Sequence, residues 1–122
     1  MPKFSKRSID NLLTCDERLQ KVMNEAIKRV DFSVICGHRS KEEQNRAFIE
    51  GKSQLQYPAS RHNEKPSKAV DIVPYPIDWT NIKRFKQLAG VILEEARKDG
   101  VHIVWGGNWH SFKDYPHFEL DE

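Results

Sequence analysis

Cysteine is scarce in this chain of 122 residues. The two present, Cys15 and Cys36, form no CxxC pair and have no Cys/His spacing of the zinc-finger kind, which excludes the common redox and finger motifs. Cys36 lies in the apolar run "FSVIC" and is expected to be a buried, reduced thiol. Long hydrophobic runs are also missing: nothing approaches the roughly 18 consecutive apolar residues of a membrane-spanning helix. The opening "MPKFSKRSIDNLL" has neither an apolar signal core nor a small-residue cleavage site, so the expectation is synthesis and initial retention in the cytoplasm. Charge of one sign is in short supply, with a formal net charge of +2 and no polybasic arm, so no nucleic-acid partner is expected. Repeats, low-complexity tracts and linkers are absent too. What remains is the composition of a soluble globular chain, with three Trp, three Tyr and six Phe for packing, read as one domain over residues 1–122.

Apolar periodicity then divides the chain. A weak helical pattern covers residues 5–13. Thr14 and Glu17 have capping-box spacing ahead of Leu19, Val22, Met23, Ala26, Ile27 and Val30, which predicts an amphipathic helix over 15–30. "FSVIC" reads as a buried strand ending at Gly37. Ser40 and Glu43 form a second capping box opening "KEEQNRAFIEG", a helix that Gly51 can close. Residues 52–68 read as an extended polar loop, and "AVDIV" as a strand stopped by Pro74 and Pro76. Thr80 is the expected cap of a long helix with an apolar face from Ile82 to Ala96, ending before Gly100. "VHIVW" and "HFEL" are further strands, separated by the loop "GGNWHSFKDYP". This order predicts an α+β fold, with a small, mainly antiparallel sheet backed by helices on one face.

The chemistry concentrates in two stretches. In "SRHNEKPSKAVDIVPYP", nine positions separate His62 from Asp71. That is about two and a half helical turns, which would set them on opposite faces, and Pro66 forbids a continuous helix anyway. A loop feeding a strand can instead fold His62 back beside Asp71. Asp71 alternates with apolar neighbours, so its charge needs a metal or a buried Arg nearby. In "DYPHFEL", His117 and Glu119 share a strand face, and Asp114 precedes His117 across a Pro. His62, Asp71 and His117 make a three-ligand zinc set with a fourth position open to water. Asp114 suits the carboxylate that takes that water's proton and later protonates a leaving amine. Arg39 suits a cation for the oxyanion. HExxH, a sharper signal, is absent.

"SRHNEKPSKAVDI", "DYPHFEL" and "GHRSKEEQNRAF" together resemble, in order, the three motif segments of the zinc D-Ala-D-Ala carboxypeptidase and L-alanyl-D-glutamate peptidase family. "WGGNWHSFKDYPHFEL" is most similar to its short single-domain phage endolysins. The family's commoner form has a shorter His–Asp spacer containing Gly, where this chain has Pro66-Ser67. The resemblance implies the fold shared with the hedgehog signalling domain. It implies Zn²⁺ held by His62, Asp71 and His117, with Asp114 as acid/base and Arg39 as transition-state cation. It further implies cleavage of the L-Ala–D-Glu bond of the peptidoglycan stem peptide, by a monomer that reaches the wall and periplasm of the host once a holin has permeabilised the membrane. A D,D-carboxypeptidase or dipeptidase of the same family is the near alternative. A non-catalytic zinc-binding interaction domain is the alternative from another class, against which Asp114 and Arg39 speak.

Each residue also has a plainer reading. A lone His is more often structural than a ligand, and "KDYP" is ordinary turn chemistry. Ser60 is expected to hydrogen-bond within the site's loop, and Glu119 to support His117 or simply to be structural. Gln44 shares a helix side with Phe48, so packing and substrate binding compete there. His38, His102 and His110 are read as non-ligands, Trp105 and Trp109 as core or cleft wall, and Gly106-Gly107 as a tight turn.

Overall fold

In the computed structural model, which describes residues 2–122, helices α1 (Lys6–Leu12) and α2 (Glu17–Ala26) precede strand β1 (Phe32–Cys36). Helix α3 (Lys41–Ile49), strand β2 (Ala69–Pro74), helix α4 (Ile82–Lys98) and strands β3 (Ile103–Trp105) and β4 (His117–Leu120) follow. The strands form one antiparallel sheet in the order β1-β2-β4-β3. This is the expected α+β arrangement.

The sheet has two unlike faces, and the strand register assigns them. Val34 pairs with Ile72, Val70 with Phe118, Phe118 with Trp105, and Leu120 with Ile103. These side chains meet Leu19, Val22 and Met23 of α2 and Leu88, Ile92 and Ala96 of α4 in the hydrophobic core. The opposite face carries Asp71 directly across from His117. Period-two alternation thus separates packing from chemistry within the same strands.

Two expected helix caps are displaced, for one reason. The Thr14 hydroxyl donates to the Asn11 carbonyl (2.7 Å) and accepts from the His38 amide (2.8 Å), tying the end of α1 to the segment after β1. Asp16 therefore caps α2, which ends at Ala26 rather than running on to residue 30. Thr80 is likewise committed to Asp78, through its amide (3.1 Å) and hydroxyl (2.7 Å), and Asn81 caps α4. The Ser40–Glu43 box forms as expected, and Gly51 (φ 77) follows α3 in the left-handed region that favours glycine. β3 is shorter than "VHIVW", starting at Ile103.

Asp16 is more than a cap. Its carboxylate accepts from the Arg18 guanidinium at 3.0 Å and from Lys68 Nζ at 2.8 Å, joining α2 to the residue ahead of β2. The hydrogen bonds of Arg18, chiefly, hold its pKa well below the usual carboxylate range against the opposing effect of burial. A depressed folded-state pKa contributes stability above the unfolded value near 3.8, lost as pH falls through the folded one. Asp16→Asn keeps a capping side chain but removes the charge. It is expected to lower stability by about 1–2 kcal/mol at pH 7, a difference that shrinks below about pH 4. Urea melts of both proteins from pH 7 to pH 3 check this, and a pH-independent difference would contradict it.

Candidate metal and catalytic site

β2 and β4 bring Asp71 and His117 together as a cross-strand pair, and a 3₁₀ turn over Arg61–Asn63 adds His62. Ser60 caps that turn, its hydroxyl accepting from the His62 amide at 3.2 Å, so its hydrogen bond does lie within the site's loop. The turn is pinned to the segment after β1 by the Arg39 amide, which donates to the His62 carbonyl at 2.8 Å. Three atoms converge as a result. His62 Nε2 and His117 Nδ1 each stand 3.1 Å from Asp71 Oδ1, and 3.3 Å from one another.

The outer ring nitrogens set the tautomers. His62 Nδ1 lies 2.7 Å from the Gly37 carbonyl, which can only accept, so Nδ1 carries the proton. His117 Nε2 lies 2.7 Å from Glu119 Oε1 and donates to it. Glu119 is therefore a partner of the imidazole rather than a plain structural acid. With both outer nitrogens donating, two lone pairs and a carboxylate oxygen face one point. Three acceptors that close repel unless positive charge sits among them.

Proton affinities report that demand. Burial opposes charge on His62, but the charge and hydrogen bond of Asp71 prevail and raise its pKa to about 10. Burial opposes charge on His117 as well, and the hydrogen bonds it donates to Asp71 and Glu119 raise its pKa to about 9. Burial would raise the pKa of Asp71, yet the two imidazoles hold it well below the ordinary range. A divalent cation satisfies the same field. Tetrahedral bonds of about 2.0–2.1 Å place neighbouring donor atoms about 3.3–3.4 Å apart, close to the triangle seen here. The donor set fits a metal ion.

A second grouping, Cys36 with His62 and Asp71, also falls within 4.8 Å. Its sulfur, however, is 3.9 Å from His62 Nδ1, the nitrogen already used on Gly37. One imidazole cannot turn both nitrogens to one ion. The convergent set is therefore His62, Asp71 and His117, with Cys36 beside it. Cys36 itself corrects the sequence reading, because it is half-buried in the cleft while Cys15 is the buried thiol. The register shifts between Val34 and Cys36, so Cys36 pairs with Asp71 and shares its face. Strict alternation would have sent it into the core with Val34.

Around this triangle lies a cavity of ≈1020 Å³. Arg39, Ser60, Asp114 and Glu119 line it with the three convergent residues, but Gln44 does not. Arg39 Nη2 is 3.4 Å from Asp71 Oδ2, so the half-buried carboxylate faces a cation on its other oxygen. Gln44 is fully buried, whereas Phe48 is 38% exposed, so the two do not share an environment. The Gln44 carbonyl oxygen accepts from Arg39 Nη1 (3.0 Å) and Asn63 Nδ2 (3.2 Å). Its amide donates to Ser53 Oγ (2.9 Å) and the Leu55 carbonyl (2.7 Å). With its hydrogen-bonding capacity filled, Gln44 orients Arg39 and fastens the cleft wall.

Asp114 enters from the loop before β4. Its amide donates to the Gly106 carbonyl and its carbonyl accepts from the His117 amide, at 3.0 and 3.1 Å. Gly106 lies so close to the Asp114 backbone that a Cβ there would collide with it. Burial, and then the charge of Asp71, raise the Asp114 pKa. That suits a group which must accept a proton and keep it briefly. Trp109 packs on the His117 ring, with centroids 5.1 Å apart, and is cleft wall, while Trp105 is core. His102 and His110 are exposed, and His38 lies outside the cavity.

A family model described as phage L-alanyl-D-glutamate peptidase matches residues 1–121. The chain belongs to that family. The crystal structure of the Serratia marcescens L-Ala D-Glu endopeptidase ChiX is similar to it over 98% of this chain and 90% of that one, at 34% identity and a TM-score of 0.83. The resemblance read from three short motifs thus extends through the whole fold, and this chain is an enzyme of the L-alanyl-D-glutamate peptidase family. Within that family fold, no helix among the described residues is long and apolar enough to cross a membrane. Cys36, Trp79 and Phe112 line the cleft of this peptidase without having stood out in its sequence as site residues. No periodic pattern marks the loops that carry the two aromatics.

Proposed function

We propose that residues 1–122 act as a single zinc peptidase domain that hydrolyses the L-Ala–D-Glu bond of the peptidoglycan stem peptide during phage lysis. The observation carrying this reading is the triangle of His62 Nε2, His117 Nδ1 and Asp71 Oδ1, with edges of 3.1, 3.1 and 3.3 Å. These three residues would hold the ion. A bound Zn²⁺ supplies a Lewis acid and a water of lowered pKa. Gly37 and Glu119 hold the imidazoles in the tautomers that present their inner nitrogens. Asp114 takes a proton from the attacking water and returns it to the departing amine of D-Glu. Arg39, braced by Gln44, meets negative charge developing on the scissile carbonyl oxygen. The working form is proposed as a monomer, made in the host cytoplasm and delivered to the wall through a holin-permeabilised membrane.

Digestion of purified peptidoglycan tests the reaction. Mass spectrometry is expected to find new peptides beginning at D-Glu, and chelation is expected to stop their release until zinc is restored. Release of free D-Ala or D-Ala-D-Ala instead would assign the chain to the carboxypeptidase or dipeptidase activity. Intact walls would remove the proposal altogether.

A further inference from the structure

Trp79 is 55% exposed, yet its loop is fixed in place. Asp78 and Thr80 lock the backbone on either side of it, and Arg84 Nη1 donates to the Pro76 carbonyl at 2.6 Å. One face of the indole stacks on Phe85, with centroids 6.0 Å apart and planes at 28°. Phe85 is buried and in turn meets Tyr115, next to Asp114, at 6.3 Å. The indole is also part of the lining of the catalytic cavity, together with Trp109 and Phe112. One face of the ring packs on Phe85, but more than half of the residue stays exposed beside a cavity that Trp109 and Phe112 also line, and clustered exposed apolar surface marks a binding site.

The cavity has room for more than the scissile dipeptide, being at the upper end of the range for drug-sized ligands. Its lining is mixed in chemistry. Arg39 and Lys52, from the segments on either side of α3, bring positive charge, and Trp79, Trp109 and Phe112 bring aromatic rings. The stem peptide is mixed as well. From D-Glu onward it bears free carboxylates, but L-Ala leads back through a lactyl group to an uncharged sugar. That sugar begins about 7 Å from the scissile bond at ordinary chain dimensions. Pyranose C–H groups carry slight positive charge, and an indole face carries the complementary negative one.

We infer that Trp79 is a platform for the N-acetylmuramyl ring of the substrate, so that the enzyme reads the glycan as well as the peptide. This rests on the proposed reaction at the stem peptide and adds a saccharide subsite to it. The ring stacks on the free indole face, orienting L-Ala toward the metal site and the carboxylate-bearing half toward Arg39.

Two substrates test it: one stem peptide with N-acetylmuramyl at its amino end, and the same peptide with acetyl there. The wild-type enzyme is expected to prefer the sugar-bearing substrate about tenfold in kcat/KM, mostly through KM. Trp79→Ala is expected to bring that ratio near unity, and Trp79→Phe to keep most of it. A ratio unchanged by Trp79→Ala, an equal loss on both substrates, or no wild-type preference would overturn the inference alone. A wild-type enzyme that cuts neither substrate would remove the proposed reaction and the inference with it.

Discussion

Asp114→Asn is expected to lower kcat by about 10²–10⁴-fold, the usual worth of a positioned acid/base, while zinc content by mass spectrometry stays at the wild-type level. That loss is about 3–5 kcal/mol of transition-state stabilisation. The substitution preserves shape, so the local fold should persist. This loop is held through its own main-chain groups: the Asp114 amide on the Gly106 carbonyl, the Asp114 carbonyl under the His117 amide, and the Tyr115 carbonyl accepting from the Trp105 indole Nε1 at 2.8 Å. None of these bonds uses the carboxylate. The side chain can therefore be spared by the fold and still be essential to proton transfer. Asparagine cannot accept a proton from water or return one to an amine. Retained activity would show that Asp114 is ordinary turn chemistry, and loss of zinc along with activity would place it in the metal's support instead.

The second large effect separates the two groupings around His62. His117→Ala is expected to abolish both bound zinc and hydrolysis, whereas Cys36→Ser leaves zinc content at the wild-type level and activity within a few-fold. The ring nitrogens make the distinction. Nε2 of His62 points at Asp71 and His117, while Nδ1, the nitrogen nearest the Cys36 sulfur, is spent on the Gly37 carbonyl. Removing His117 takes away one of three converging donors and leaves Glu119 without the ring it accepts from. Removing the Cys36 sulfur takes away only long contacts at 3.6 and 3.9 Å. Zinc lost from Cys36→Ser and kept by His117→Ala would reverse the ligand assignment.

Much of this architecture was legible from periodicity. The burial of Leu19, Val22, Met23 and Ala26 in α2 follows from helical spacing, as the Ser40 cap of α3 follows from its capping box. Misplaced caps arose where a side chain had two possible employers. Thr14 and Thr80 have the right spacing to cap, but each hydroxyl serves a neighbouring turn that local sequence does not announce. Gln44 was ambiguous for a related reason. Its helix position indicates an inward direction but cannot reveal that Arg39, Asn63, Ser53 and Leu55 all converge on one amide.

Residue identity and order alone indicated the fold class, the family and the candidate ligands His62, Asp71 and His117 that the fold brings together. These are properties of alternation, spacing and side-chain type, which a linear chain displays directly. Only the tertiary structure decided which nitrogen of each histidine faces inward, which oxygen of Asp71 meets Arg39, and that Cys36 and Trp79 border the cleft. Those outcomes depend on a bulge that reverses one strand residue, on a carbonyl that claims one ring nitrogen, and on the packing of Phe85 beneath an exposed indole. Apart from the local Trp79–Phe85 stack, each is a contact between segments distant in sequence, set by hydrogen bonds and packing that form only when the sheet closes.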